Sequence, residues 1–353
     1  MSVVQMLSGA GPHDAVTRQA LMLSSLLAER GAGGQVVAEH RDPRVGKAVG
    51  DASETLAALG PGDTVLAHYS AYSRYLPEAL RRAGRGLMVF HNVTPPERLW
   101  EWGPMTAALC AAAQGQLPEL APLVSGAAAV SEFNACQLRS AGYGHVEVVP
   151  NVVPMPAAAS PATRPPNQTA EVLFVGRLAP HKRPDALIQA VALLARRHGR
   201  RVRLRLVGSP VSAAFADAVG SLAAQLGVEL VAESGLDDEA LDRAYTDADV
   251  FCCLSEHEGF CIPIVEAMAR GLPVVTSPAG GVPEVAGDAA LVLDGSDPSA
   301  ACEALELVLA DADLRRELTR RGRDRAPRFA PEQVRPRWEA WLDRVLDPAV
   351  STA

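Results

Sequence analysis

The stretch Ser255-Glu-His-Glu-Gly-Phe-Cys-Ile-Pro-Ile-Val-Glu-Ala-Met-Ala-Arg-Gly-Leu-Pro-Val-Val275 decides the fold. It follows one apolar run, residues 250–254, and leads into another, residues 272–276, and each reads as a strand buried on both faces. Pro263 suits a first helical turn, where a missing N–H costs nothing, and Gly271 suits the residue just past a helix end. The spacing therefore predicts a helix over 263–270, inside the strand, loop, helix and strand repeat of a parallel α/β sheet.

Glu258 falls in the loop at the carboxyl end of the first strand, and Glu266 falls one turn into the helix. The loop amides of Gly259, Phe260 and Cys261, with the positive end of the helix dipole behind them, suit an anionic ligand. Carboxylates on either side accept hydrogen bonds from hydroxyls, so an anionic ligand with sugar hydroxyls fits both features. Two glutamates near a helix start also complement its dipole, so the pair alone leaves both readings open.

From Glu258 onward the wording Glu-Gly-Phe-Cys-Ile-Pro-Ile-Val-Glu-Ala-Met-Ala-Arg-Gly-Leu-Pro-Val-Val resembles the signature of the family-4 retaining glycosyltransferases of GT-B fold. The resemblance implies that Glu258 contacts the transferred sugar, that Glu266 holds the ribose hydroxyls, and that the backbone from Gly259 to Ile262 meets the donor. Cys261 stands where many relatives carry Gly, which bears on sugar specificity more than on activity.

A chain of 353 residues exceeds what one ordinary core serves, so two domains are expected, and an apolar fraction of 48% fills two cores. The formal net charge of −8 argues against a general nucleic-acid binder. Six cysteines are scattered without a C-x-x-C pair, which reads as reduced thiols in a cytoplasmic protein rather than zinc or disulfides. No basic leader and no run of ~20 apolar residues is visible, so neither a signal peptide nor a span is expected. Peripheral association with the inner face of a membrane stays open.

Along the chain, residues 3–7 read as a strand, followed by Ser8-Gly-Ala-Gly-Pro-His-Asp14 and a helix over 15–30. A dinucleotide fingerprint would need a third Gly where Asp14 stands, which weakens an oxidoreductase reading. The resemblance places Gly9 and Gly11 by the donor phosphates and the acceptor; the alternative is a tight turn with Asp14 capping the helix. Strands over 35–39, 64–68, 86–90, 127–130 and 146–149 follow. Residues 67–75 gather hydroxyls and rings that suit a polar acceptor or an irregular surface loop. His91 ends one strand where parallel sheets hold ligands, and the resemblance puts it beside the transferred sugar. His-Asn-Val-Thr-Pro is similar to transferases of mannose- or rhamnose-type sugars in bacterial surface polysaccharides. Trp100 and Trp102 read as core, the alternative being exposed edges of an acceptor cleft.

Residues 154–168, rich in Pro, Ala, Ser and Thr, read as a linker between a domain at 1–153 and a second at 169–328. In the second domain, a strand over 171–175 leads to Gly176-Arg-Leu-Ala-Pro-His-Lys182, similar to the family's G-R-L-x-x-x-K pattern. Arg177 and Lys182 there suit a departing diphosphate, the alternative being two surface charges. The segment around Val231 to Leu236 corresponds, by resemblance, to the resting place of the nucleotide base, read by backbone groups. Asp247-Ala-Asp249 and Asp311-Ala-Asp313 spell D-x-D, but capping and solvation explain both, and no metal or other cofactor is expected. Residues 329–353, with Trp338, Trp341 and Leu342 at helical spacing, form a terminal helix that the resemblance sends back to the first domain.

The expectation is α/β, GT-B: two Rossmann-like domains facing across a cleft, which move a sugar from an α-linked nucleotide donor, GDP- or UDP-sugar, to an acceptor hydroxyl. Glycan, polysaccharide or glycoconjugate synthesis is the expected setting. A natural-product glycosyltransferase, a sugar-nucleotide epimerase of the same fold and a noncatalytic sugar-nucleotide binder remain as alternatives.

Overall fold

The computed structural model describes residues 2–12, 14–156 and 169–347; the expected linker lies outside them from residue 157 to residue 168. The chain divides into two compact units, residues 1–96, 108–152 and 331–353 in the first, and residues 97–107 and 153–330 in the second. Residues 97–107, read from sequence as part of the first domain, thus group with the second unit.

The first unit holds strands β1 (Ser2–Ala10), β2 (Gly33–Arg41), β3 (Gly50–Asp51), β4 (Asp63–Tyr69), β5 (Arg85–Phe90), β6 (Gly126–Ala129) and β7 (Val146–Val148). Between them run α1 (Ala15–Glu29), α2 (Ala52–Ala58), α3 (Leu76–Arg82), α4 (Pro104–Leu120), whose first turn belongs to the second unit, and α5 (Glu132–Ser140). The sheet order is β3-β2-β1-β4-β5-β6-β7 and the pairings are parallel. Apolar runs without alternation, such as Val65, Leu66 and Ala67, are buried because helices cover both faces.

In the second unit the strands are β8 (Ala170–Val175), β9 (Val202–Val207), β10 (Glu229–Glu233), β11 (Val250–Cys253), β12 (Val274–Thr276) and β13 (Leu291–Val292). Its helices are α6 (Pro184–His198), α7 (Ala213–Leu226), α8 (Asp238–Asp247), α9 (Ile262–Ala269), α10 (Val282–Ala286), α11 (Pro298–Ala310) and α12 (Ala312–Arg325). The order β10-β9-β8-β11-β12-β13 is the doubly wound one, and the chain direction through the sheet reverses between β8 and β11. Ligands of such sheets sit at the carboxyl ends of the two strands at that point.

The last helix, α13 (Pro331–Leu346), belongs to the first unit. Its Val334, Trp338, Trp341 and Leu342 are buried in one cluster with Leu23, Leu26 and Leu27 of α1 and with Leu66, Leu87 and Val89 of the sheet. The two indoles meet edge to face at 5.6 Å, and Trp338 Nε1 donates to the Pro150 carbonyl at 3.0 Å. Burying each indole removes about 200 Å² from water, roughly 5 kcal/mol before entropy.

Candidate functional site

In the second unit, the loops after β8 and β11 are fastened to each other. The Glu256 amide donates to the His181 carbonyl at 2.8 Å, and Arg183, in a left-handed conformation at φ 54°, reaches Glu256 at 2.6 Å, Ser296 at 2.9 Å and Asp185 at 3.0 Å. Arg98 pairs with the other oxygen of Glu256. The neighbouring loop after β9 needs glycine: a Cβ on Gly208, at φ 152°, would lie 1.9 Å from the Gly176 carbonyl oxygen.

That scaffold brings Lys182, on the short turn Pro180–Lys182, to 2.7 Å from Oε2 of Glu258. The Ser255 hydroxyl donates to Oε1 of the same carboxylate at 2.7 Å, so both oxygens of a buried group are satisfied. Burial opposes the Lys182 charge, yet Glu258, joined by Cys261 and Cys253, outweighs it, and the lysine pKa is raised. The pair holds a charged lysine against a largely buried carboxylate.

Glu266 lies in α9, and its Oε2 accepts from the Tyr245 hydroxyl at 2.7 Å. Burial, then the neighbouring Glu266, raises the Tyr245 pKa, so the phenol remains a donor. Arg270 closes the same corner, stacked over the Tyr245 ring at 4.8 Å and donating to Asp242 at 2.8 Å. One oxygen of Glu266 is thereby oriented from behind by a fixed donor.

Between these carboxylates the chain passes Gly259, then Phe260, buried edge-on to Phe329 at 5.4 Å, and Cys261, which caps α9 in a left-handed conformation at φ 71°. For a residue with a side chain that conformation costs on the order of 1–2 kcal/mol, held by the surrounding packing. Ile262 opens the helix. The Gly281 amide of the next loop donates to the Glu258 carbonyl at 3.0 Å.

Other expected residues stand differently. Arg177 is exposed and makes no ion pair among the described residues. Val231 sits inside β10, paired with Arg205, and the strand continues to Glu233 because Ala232 and Glu233 still pair with Leu206 and Val207. Ser234 and Gly235, which follow the strand's carboxyl end, lie within the expected segment. In the two D-x-D sequences, Asp249 accepts from the Glu171 amide at 2.7 Å, and Asp311 caps α12.

In the first unit, His91 follows β5 and pairs with His68 of β4, Nε2 to Nδ1 at 3.0 Å, the rings stacked at 5.3 Å. His68 Nε2 meets Gln5 Oε1 at 2.9 Å, and Gln5 spends both amide hydrogens on the carbonyls of Ala20 and Gly34. Since carbonyls only accept, the amide orientation is fixed, and the proton order follows. His68 donates from Nε2 and accepts at Nδ1; His91 donates from Nε2, leaving its Nδ1 lone pair for a ligand hydroxyl. Burial pushes His91 down to about 3 and His68 well below its ordinary value, so both are neutral near pH 7.

The glycine loop after β1 closes on itself. The Gly11 amide donates to the Thr17 hydroxyl at 3.1 Å, Thr17 donates through both its amide and its hydroxyl to Asp14 at 2.8 Å, and Asp14 caps α1. Gly9 lies within β1, opposite His40. The Gly11 amide is thus engaged by Thr17 beside the α1 cap. Within residues 67–75, Tyr69 and Ser73 are buried; the Tyr69 hydroxyl donates to the Ala113 carbonyl at 2.8 Å, and Ser73 bonds Glu39. Trp100 is 49% exposed rather than core, and Trp102 lies edge-on to Phe215, lining a cavity of about 700 Å³ with Arg98, His181, Arg183 and Glu256.

Sequence reasoning missed Ser255, Tyr245, His68 and Gln5. Ser255 was in the decisive stretch, and His68 ends a strand as His91 does, a positional signal. Tyr245 and Gln5 carry no signal in spacing, because each meets its partner only in the tertiary fold, Tyr245 from one helix to the next and Gln5 across the sheet.

Residues 158–325 match the sequence model of the family described as Glycosyl transferases group 1. The D-inositol 3-phosphate glycosyltransferase of Corynebacterium efficiens is 38% identical over 151 residues, 41% of this chain and 35% of that protein. Its counterpart from Saccharomonospora viridis is 32% identical over 203 residues, 54% of this chain and 45% of that protein. The chain matches less than half the length of these curated relatives. Among solved structures, Anabaena HepE in complex with UDP-glucose superposes with a TM-score of 0.74 at 16% identity, over 97% of this chain and 100% of that one. A glycosyltransferase from Rickettsia africae gives 0.74 at 14% identity, over 98% and 99%. No helix among the described residues is long and apolar enough to cross a membrane.

Proposed function

We propose, for a chain of GT-B fold whose residues 158–325 match the family model of the group 1 glycosyl transferases, that this protein transfers a sugar from a nucleotide-sugar to an acceptor hydroxyl with retention at the anomeric carbon. The observation that carries the reading is the Lys182–Glu258 pair at 2.7 Å, at the carboxyl ends of β8 and β11 beside the start of α9. A diphosphate entering there takes Lys182 and the exposed Arg177 as cations and the amides before α9 as donors. Glu258, released from Lys182, keeps the Ser255 bond and turns its free oxygen to a sugar hydroxyl. Glu266, held by Tyr245, accepts from the ribose.

His91 presents Nδ1 as an acceptor for a sugar hydroxyl. As the glycosidic bond to the diphosphate lengthens, Lys182 and Arg177 stabilise the charge that develops on the leaving oxygen, which is the differential binding that lowers the barrier. The acceptor proton passes to that leaving phosphate, and no protein nucleophile and no metal take part. UDP leads the donor candidates because HepE was solved with UDP and with UDP-glucose; D-inositol 3-phosphate leads the acceptors because the curated relatives are named for it.

The test is thermal stabilisation by UDP, GDP, ADP and dTDP, with and without EDTA. Ligand at 100 times its dissociation constant stabilises by about 2.7 kcal/mol. One diphosphate shifts the melting temperature regardless of EDTA, and Lys182→Ala loses the shift. Equal shifts in wild type and Lys182→Ala contradict the assigned site.

A further inference from the structure

The donor loop is bracketed by two thiols. Cys253 ends β11 and Cys261 caps α9; they are 1% and 7% exposed, and their sulfurs lie 3.9 Å apart. Ser255 and Glu258 belong to the loop between them, and Cys253 Sγ also lies 3.1 Å from the Ser255 hydroxyl and 3.8 Å from Oε1 of Glu258. The Cys261 thiol directed at Cys253 pushes the Cys253 pKa down, against burial, and Lys182 adds to this.

We propose that Cys253 and Cys261 form a reversible disulfide that locks the Glu258 loop and weakens nucleotide binding. A disulfide needs sulfurs about 2.05 Å apart, so the bond draws the two together by roughly 2 Å. Cys261 is the capping residue, already in a left-handed conformation, and its displacement moves the amides that open α9. The oxidant is a small hydroperoxide. The Cys253 thiolate attacks hydrogen peroxide, breaking the O–O bond and giving a sulfenic acid and hydroxide; the Cys261 thiol then displaces water to form the S–S bond. In sum, two thiols and one peroxide become one disulfide and two waters.

The chemistry stands on the sulfurs alone, whereas the effect on nucleotide rests on the proposed function, so the two are read separately. Cys136→Ser removes the exposed cysteine and is the background throughout, with EDTA present to keep metal off the thiols. After peroxide, cleavage after Glu256 and Glu258 separates the two cysteines, and mass spectrometry is expected to find their peptides joined until dithiothreitol is added. Hydrogen exchange at residues 259–262 is expected to change on oxidation and to be restored by the reductant. The diphosphate selected by the thermal panel is expected to bind at least about tenfold more weakly to the oxidised form, about 1.4 kcal/mol. Cys253→Ser, each form compared with its own untreated sample, loses the cross-link and both responses. No joined peptide overturns the proposal, as does a joined peptide that leaves exchange in the loop unchanged. If no nucleotide binds even the reduced protein, the proposed function fails, while the cross-link and exchange still decide whether the loop is locked.

Discussion

Lowering the pH from 8 to 5 should destabilise the first unit through His91, by an amount that follows from its burial. An exposed imidazole in the unfolded chain titrates near 6.5, so at pH 5 about thirty unfolded molecules are protonated there for each one that is not. The native imidazole, pushed down to about 3, stays neutral. The unfolded state therefore binds the extra proton, and stability is complete above about 6.5 and falls as the pH drops below it, until His91 itself protonates near 3. At pH 5 the loss is about RT ln(1 + 10^1.5), roughly 2 kcal/mol from this one group. Carboxylates also titrate on the way, so the comparison is between wild type and His91→Gln, which lacks the group. Urea unfolding at pH 8 and pH 5, followed by fluorescence of Trp338 and Trp341 with Trp100 and Trp102 replaced by Phe, should show a pH penalty about 2 kcal/mol smaller in the variant. NMR of labelled histidine should show His91 flat across that range. An inflection for His91 near 6.5, with equal pH penalties in both proteins, refutes the neutral histidine pair.

Tyr245→Phe removes one hydrogen bond to Glu266, worth about 0.5–1.5 kcal/mol, and should weaken binding of the selected diphosphate by roughly 2- to 10-fold in calorimetry; a Kd equal to wild type rejects the orienting role. Gly208→Ala drives a methyl group into the Gly176 carbonyl and should cost a few kcal/mol, read as a fall in melting temperature of several degrees or as failure to fold, whereas a soluble variant melting as wild type contradicts the close approach of those two loops.

The strands were legible because helices cover both faces of each sheet, so apolar runs such as 250–254 and 171–175 stand out without alternation. Helix ends were legible where a residue type fits only one position: Asp14 as a cap, and Pro263 in the first turn of α9. Lys182 and Glu258 were each readable as charges at strand ends, and the two-loop scaffold that joins them is tertiary. The same limit hid Gln5 and His68, which reach His91 across three different strands. Gly11 was ambiguous because a glycine turn looks alike whether its amide meets a phosphate or the Thr17 hydroxyl. Trp100 was misread because a large aromatic ring usually marks a core, and only the fold reveals which side of residues 97–107 faces water.

The most direct measurement follows the anomeric signals of the selected nucleotide-sugar by proton NMR, with acceptor and EDTA present. The account predicts consumption of the α-linked donor, release of one diphosphate per sugar moved, and a product that is again α-linked, all lost in Lys182→Ala. A β-linked product contradicts retention at this site, and conversion of the donor into another nucleotide-sugar without diphosphate release contradicts transfer itself.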